Sequence, residues 1–302
     1  MPRPCWSSDK TPHVDYSRKH LIIIAGPTAV GKTAYAIRTA LEHRTEIISC
    51  DSRQMYREMR IGTAVPSPGE LAAVPHHFIG NLSVSDYYNA SRFETDALQL
   101  LDDLFTRHDT VVMCGGSGLY IQALWHGMDE FPEIDPEVRR QVLGILAQEG
   151  LPRLRRELKL ADPAYYARVD LRNTQRIVRA VETFRQTGRP YSSFLTEHRQ
   201  IRPFKITGLV LNRPRAILYD RIDRRVDVMM ADGLQEEARQ LYPYRHLNAL
   251  QTVGYKELFD YFDGKCTLEQ AVTNIKCHTR RYAKRQLSWF ARDPEWEWIE
   301  ME

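Results

Sequence analysis

An α/β fold with a parallel sheet and a helical insertion is predicted by three observations. The run Leu21-Ile22-Ile23-Ile24-Ala25 is uninterrupted and largely β-branched, as suits a strand buried on both faces. It leads into Gly26-Pro27-Thr28-Ala29-Val30-Gly31-Lys32-Thr33, the G-x-x-x-x-G-K-[ST] pattern of a phosphate-binding loop, which requires a strand before it and a helix after it. Strand and helix signals then alternate, which marks a doubly wound sheet. Together they predict a P-loop NTPase core of the kinase-like kind, its parallel sheet flanked by helices.

Residues 1–19 are polar, lack an apolar signal core and read as a poorly defined extension. Leu21 to Ala25 is the central strand. Thr33 to His43 carries Ala and Ile at helical spacing, and Glu46 to Cys50 gives a second short strand ending at Asp51, completing a βαβ unit. A helix is expected from Ala90 to Arg107, with Phe93, Ala97, Leu100, Leu101 and Leu104 on one face. Strand Thr110 to Cys114 follows and stops at Gly115-Gly116. From Asp135 the texture becomes charged and helical over Asp135 to Glu149, Leu151 to Leu160 and Asn173 to Thr187. The stretch 135–200 is therefore read as a helical insertion with hinges near Pro132 and Pro203. Ile206 to Leu211 returns to the sheet, and helices continue to about Arg292, so the core spans 20–134 and 201–302.

With 43% hydrophobic and 27% charged residues, whole-chain disorder is excluded, and 302 residues suffice for about two self-supporting domains. A formal charge of +3 means that any surface for a polyanion must be local. Cys5, Cys50, Cys114, Cys266 and Cys277 are scattered without C-x-x-C spacing, which predicts free thiols, a reducing compartment and no zinc site. No apolar run approaches the roughly 20 residues that span a bilayer, so a cytoplasmic chain without membrane contact is expected.

The loop motif carries the chemistry. Backbone N–H groups and the positive end of the following helix surround a diphosphate, Lys32 adds a point charge, and the Thr33 hydroxyl ligates Mg²⁺. An ordinary P-loop ATPase has a second strand ending in an acid that helps hold the metal, whereas Val111-Val112-Met113-Cys114 runs into Gly115-Gly116-Ser117. The strand that does end in a carboxylate supplies Asp51, which can aid Mg²⁺, act as a base on an acceptor, or cap the next segment through Ser52 and Arg53. The residues by themselves thus define a P-loop enzyme with a diphosphate substrate. A small-molecule or nucleoside kinase using bound ATP is one form of it, and an RNA-binding NTPase switch is another.

Three further features stand beside the loop. His76-His77 is read as structural or substrate-shaping, because adjacent histidines rarely chelate one ion without other ligands. Lys276, Arg280, Arg281, Lys284, Arg285 and Arg292, with Tyr282 and Trp289 between them, form a basic strip that binds a nucleic-acid backbone, faces solvent or pairs with the acidic tail 293–302. Trp125, Tyr120 and Tyr87 line a substrate pocket or fill the core.

A series of motifs runs in order along the chain: Gly26 to Thr33, Asp51-Ser-Arg-Gln54-Met-Tyr-Arg57, Ile61-Gly-Thr-Ala64, Pro75-His-His77, Gly115-Gly-Ser-Gly-Leu-Tyr120, Gln175-Arg-Ile-Val-Arg179, Val253-Gly-Tyr-Lys-Glu257 and Tyr282-Ala-Lys-Arg-Gln286. Over about residues 20–292 this resembles the bacterial tRNA dimethylallyltransferases, also called tRNA isopentenyltransferases. The resemblance implies Mg²⁺-dependent transfer of a dimethylallyl group from dimethylallyl diphosphate to N6 of adenosine 37, beside the anticodon of tRNAs that read codons beginning with U. It implies that the anticodon stem-loop is held through the helical insertion, and a monomer is expected. It assigns Asp51 as the base, with Lys32, Thr33, Ser117 and Arg221 in the catalytic set. It places Asp51, Ser52, Arg53, Gln54, Ser117, Arg139, Gln175, Arg176, Ile177, Val178, Arg179, Gln251, Thr252, Val253, Gly254, Tyr255 and Lys256 on the tRNA. Ser117 stands where the family commonly has Thr, and Gln251 where some members have Arg.

Overall fold

The computed structural model describes residues 14–129, 131–196 and 199–302. In chain order it has β1 (His20–Ala25), α1 (Lys32–His43), β2 (Ile47–Ser49), α2 (Pro68–Ala73), β3 (His76–His77), α3 (Ala90–Arg107), β4 (Thr110–Cys114) and α4 (Gly118–His126). Next come α5 (Pro136–Glu149), α6 (Leu151–Ala161), α7 (Pro163–Arg168) and α8 (Thr174–Thr187). The chain ends with β5 (Lys205–Asn212), α9 (Arg215–Ala231), α10 (Leu234–Leu241), α11 (Tyr255–Phe262), α12 (Leu268–Phe290) and β6 (Trp296–Glu300).

The strands form one sheet in the order β3-β2-β4-β1-β5-β6, and every pair is parallel. β1 lies between β4 and β5, and Leu21, Ile23, Ile24 and Ala25 are fully buried, as the unbroken apolar run requires. On one face Ile22, Ile24 and Val112 pack against Ala36 and Ala40 of α1 and Leu218 and Ile222 of α9. Small alanines let α1 approach the sheet closely. The helix stops at Arg44, which takes the left-handed conformation at φ 51° and returns its N–H to Ala40 and Leu41. Helix α3 buries Ala90, Phe93, Ala97, Leu101, Leu104 and Phe105, while Leu100 is half-buried at the edge of the expected stripe. A separate core, including Met59, Leu234, Leu258, Phe259 and Ile275, holds α10 to α12 together.

Two compact units result, one of 1–126 with 201–302 and one of 127–200. The second starts at Gly127, eight residues before the expected Asp135. The lead-in packs on the unit's own residues: Phe131 stacks on Tyr191 with ring centroids 4.7 Å apart, and Asp129 accepts the Thr196 N–H at 2.9 Å. Within that unit, Val142, Leu154, Leu158, Ile177 and Val181 form the core of the α5 to α8 bundle. Buried Asp162 ties its end, accepting the Tyr165 N–H at 2.9 Å and the Ser192 N–H at 2.6 Å.

Several elements depart from the sequence expectation. Residues 14–19 of the proposed extension are ordered: Tyr16 donates to Asp102 at 2.6 Å, and Lys19 pairs with Asp109 at 2.7 Å. Residues 1–13, including Cys5, lie outside the described residues. Helix α12 ends at Phe290, close to the expected Arg292, and beyond it β6 adds a strand beside β5 that the sequence reading did not include. No helix among the described residues is long and apolar enough to cross a membrane.

Candidate active site

Three neighbouring strands, β2, β4 and β1, deliver their carboxyl ends side by side, which is where open parallel sheets bind ligands. From β1 comes the loop 26–33, from β2 the turn at Asp51, and from β4 the turn at Gly115. They border a cavity of about 460 Å³ whose wall includes Lys32, Thr33, Asp51, Gly115, Arg221 and Arg225.

The loop is built to receive an anion. Gly31, at φ 112°, caps α1 without any side-chain hydrogen bond, so the first N–H groups of a 12-residue helix face the cavity with the positive end of the helix dipole. Ala29 is held at φ 66°, a left-handed conformation that costs a residue with a Cβ about 1–2 kcal/mol. Its carbonyl is secured by Nε of Arg221 at 2.8 Å, and the Val30 carbonyl by Nε of Arg213 at 2.9 Å. Arg225 approaches the Thr28 hydroxyl at 3.4 Å. Residues 221 and 225 share a helix face through i,i+4 spacing, whereas Arg224 turns outward to Asp220. Arg221 therefore belongs to the cavity wall and is more than a solvated cation. Burial, and then the adjacent Arg221, holds the Arg225 guanidinium below its ordinary pKa. Two cations this close are relieved by an anion between them.

Lys32 folds back to donate to the Pro27 carbonyl at 2.8 Å, and burial lowers its pKa. Asp51 uses Oδ1 to accept the Arg53 N–H at 2.9 Å in a local turn rather than a helix cap, and among the described residues no protein group donates to Oδ2. One carboxylate oxygen thus fixes the orientation of a side chain that lines the cavity. Ser117 does not line the cavity; its hydroxyl accepts the Ser52 N–H at 2.9 Å and donates to the Ser52 hydroxyl at 3.1 Å, bracing the Asp51 turn from behind. Arg53 and Gln54 do line it, with Gln54 Nε2 donating to the carbonyls of Thr63 and Ala64, both at 3.0 Å.

Of the segments expected on tRNA, Thr252, Val253 and Gly254 reach the cavity wall, while Gln251 and Lys256 are exposed. Two residues are corrected. Tyr255 is fully buried, with its hydroxyl donating to Glu237 at 2.6 Å, and Ile177 is fully buried in the core of the second unit. Neither presents a surface to RNA, because each occupies the inward face of its helix. On the same helix as Ile177, Gln175 and Arg176 are exposed and Val178 half-buried, whereas Arg179 lies over Phe131. Arg139 pairs with buried Glu182 at 3.2 Å.

The other side chains singled out in the sequence make contacts of their own. His77 pairs with Glu46 at 2.7 Å and His76 bonds the Val74 carbonyl at 2.8 Å. Lys276 and Arg280 pair with Asp227 and Asp223 of α9 rather than with the acidic tail. Tyr120 stacks on Phe93, Trp125 packs on Trp296, and Tyr87 is exposed, and none of the three lines the cavity.

Sequence reasoning passed over Glu237, Arg213 and Gln286. Glu237 accepts the N–H groups of Arg60, Ile61 and Gly62 at 2.8–3.0 Å besides the Tyr255 hydroxyl. It thereby pins the 60–65 loop that forms one wall. Glu237→Ala strips that acceptor from three backbone donors and is expected to destabilise the chain by about 2 kcal/mol. Urea unfolding measures the loss, and amide exchange should accelerate first at 60–64.

The oxygen donors suit a divalent cation. Thr33 offers a hydroxyl and Asp51 a carboxylate on one wall, which is the hard-ligand chemistry of Mg²⁺. Burial pushes the nearby Cys114 thiol up to about 11.

With this geometry established, comparison places the chain. A family model described as IPP transferase matches residues 54–293. The chain belongs to the IPP transferase family. A tRNA dimethylallyltransferase of Christiangramia forsetii is 52% identical over 283 residues, 94% of either chain. Among solved structures, the full-length tRNA isopentenylpyrophosphate transferase of Bacillus halodurans is 36% identical, with a TM-score of 0.68 over 93% of this chain and 90% of that one. A eukaryotic dimethylallyltransferase caught acting on tRNA is 28% identical, with a TM-score of 0.79 over 93% of this chain and 74% of its own. The six-stranded parallel sheet flanked by helices is thus the architecture of this IPP transferase family, as the sequence predicts.

Proposed function

We propose that this IPP transferase family member transfers a dimethylallyl group from dimethylallyl diphosphate to N6 of adenosine 37 in tRNAs reading codons that begin with U. The observation that carries the reading is one cavity holding both an anion-binding loop and the carboxylate of Asp51, in a chain about half identical to tRNA dimethylallyltransferases.

The diphosphate sits on the N–H groups of the loop and the start of α1, with Lys32, Arg221 and Arg225 around it. As the C1–O bond breaks, charge grows on the departing pyrophosphate, and these groups stabilise it. The Thr33 hydroxyl, with Asp51 nearby, would hold Mg²⁺, which supplies further charge neutralisation at the diphosphate. The N6 lone pair is delocalised into the purine, so the amine is a weak nucleophile. Asp51 accepts a proton from N6 while the N6–C1 bond forms, giving prenylated adenosine and pyrophosphate. The adenine must leave its stack to reach C1, and the exposed cations of the 127–200 unit, such as Arg176, provide backbone contacts for the stem-loop. No acid follows β4, which argues against phosphoryl transfer from ATP.

The cavity wall also includes apolar Val226, Met229, Val253 and Ile275, suited to a short branched hydrocarbon. Met229→Ala adds room among them and is expected to raise transfer from geranyl diphosphate relative to dimethylallyl diphosphate by about 10-fold, since one or more methylenes in a pocket discriminate only modestly. Competition between the two donors measures it. The proposal itself is tested by incubating labelled dimethylallyl diphosphate and unmodified tRNA with Mg²⁺, beside an ATP hydrolysis assay. Label on RNA without ATP turnover supports it, and steady ATP turnover without label refutes it.

A further inference from the structure

The diphosphate loop and the Asp51 turn reach the cavity from different strands, and one side chain bonds the first directly and the β4 turn that braces the second. Gln286 of α12, only 6% exposed, accepts the Thr28 N–H on Oε1 at 2.9 Å and donates Nε2 to the Gly116 carbonyl at 2.9 Å. Thr28 lies in the loop after β1 and Gly116 in the turn after β4. The next residue, Ser117, holds the backbone and hydroxyl of Ser52, the residue that follows Asp51. A continuous path therefore runs from the phosphate loop through Gln286, Gly116, Ser117 and Ser52 to Asp51.

The surroundings are shaped to this amide. A Cβ on Gly116 would stand 2.1 Å from Nε2 of Gln286 and 3.3 Å from the Gly26 carbonyl, so only glycine lets the three meet. The two bonds need a donor and an acceptor on one rigid planar group, which glutamine has and an isosteric methionine lacks.

We infer that Gln286 is a positioning residue that sets the separation between the prenyl donor and the base. The inference rests on the prenyl-transfer reading above. Reaction of bound partners is sensitive to displacements of about 1 Å, which can cost on the order of 10²-fold in rate without a matching loss of binding. Gln286 itself takes no part in proton transfer or charge stabilisation.

The test is Gln286→Met in the full chain, assayed by single-turnover transfer with dimethylallyl diphosphate and an unmodified anticodon stem-loop both saturating. Equilibrium binding of each substrate is measured separately. The expected result is a rate lower by roughly 10–100-fold, with both dissociation constants within about threefold of the parent. Gln286→Asn keeps the amide on a shorter arm that spans only one of the two bonds, so it serves if the Met variant does not fold, and the same split is expected. A parent chain that transfers no prenyl group overturns the reading and this inference together. A parent that transfers, with variants equal to it in saturated rate or impaired only in binding, overturns this inference alone.

Discussion

Asp51→Ala is expected to lower the single-turnover rate of prenyl transfer by roughly 10²–10⁴-fold while tRNA affinity stays within about threefold of the parent. The split follows from the division of labour in the carboxylate. Oδ1 is bonded to the Arg53 N–H and shapes the turn, and in the proposed reaction the proton from the amine falls to Oδ2. Asp51→Asn is the sharper variant, because an amide still accepts the Arg53 N–H on its oxygen and keeps the turn but cannot take up a proton. Both variants should show the same loss in rate. A near-normal rate in Asp51→Asn would remove this residue from proton transfer and leave it a role in the turn.

The second large effect is expected at Lys32. Lys32→Met should reduce transfer by roughly 10²–10³-fold, the scale for removing one stabilising group from developing charge. Its effect on the free protein should run the other way. Burial lowers the Lys32 pKa, so the folded state holds this proton less tightly than the unfolded chain does. Between the lowered folded value and the ordinary lysine value the unfolded chain binds more protons, so this group makes stability rise with pH across that window. Replacing the ammonium by an apolar thioether removes that cost, and the unfolding midpoint of the free enzyme should be unchanged or higher. The parent should gain more thermal stability from pyrophosphate than the variant does. Thermal unfolding with and without pyrophosphate reads both. A variant that loses stability and keeps its response to pyrophosphate would contradict the assignment.

Where local pattern determines structure, the sequence was legible. The β-branched runs of β1, β4 and β5 and the loop motif between β1 and α1 placed the centre of the sheet and the anion site, and Asp51 followed from being the acid at a strand end. The short edges were not legible. β3 is two residues long, and β6 reads Trp-Glu-Trp-Ile-Glu, a tail whose pairing exists only because β5 is beside it. Ser117 carries a hydroxyl in a motif, but only the fold reveals that the hydroxyl faces Ser52 rather than the cavity. Glu237, Arg213 and Gln286 were missed for a related reason. Each reaches the site from far along the chain and bonds backbone groups, leaving no local spacing to read. Gln286 did stand in the Tyr282 to Gln286 motif, where the cations beside it drew the interpretation toward a phosphate-binding strip. Ile177 and Tyr255 show the converse: a motif can be kept for its packing, and the helical period that turns neighbours outward turns these two inward.

The most direct test of the central claim is nucleoside analysis of unmodified tRNA after incubation with the parent chain, dimethylallyl diphosphate and Mg²⁺, with Asp51→Asn run in parallel. The account predicts N6-dimethylallyl adenosine from the position beside the anticodon in the parent reaction, with pyrophosphate released in equal amount and almost none in the variant. Unaltered adenosine in the parent reaction, or equal product from the Asp51→Asn variant, would contradict it.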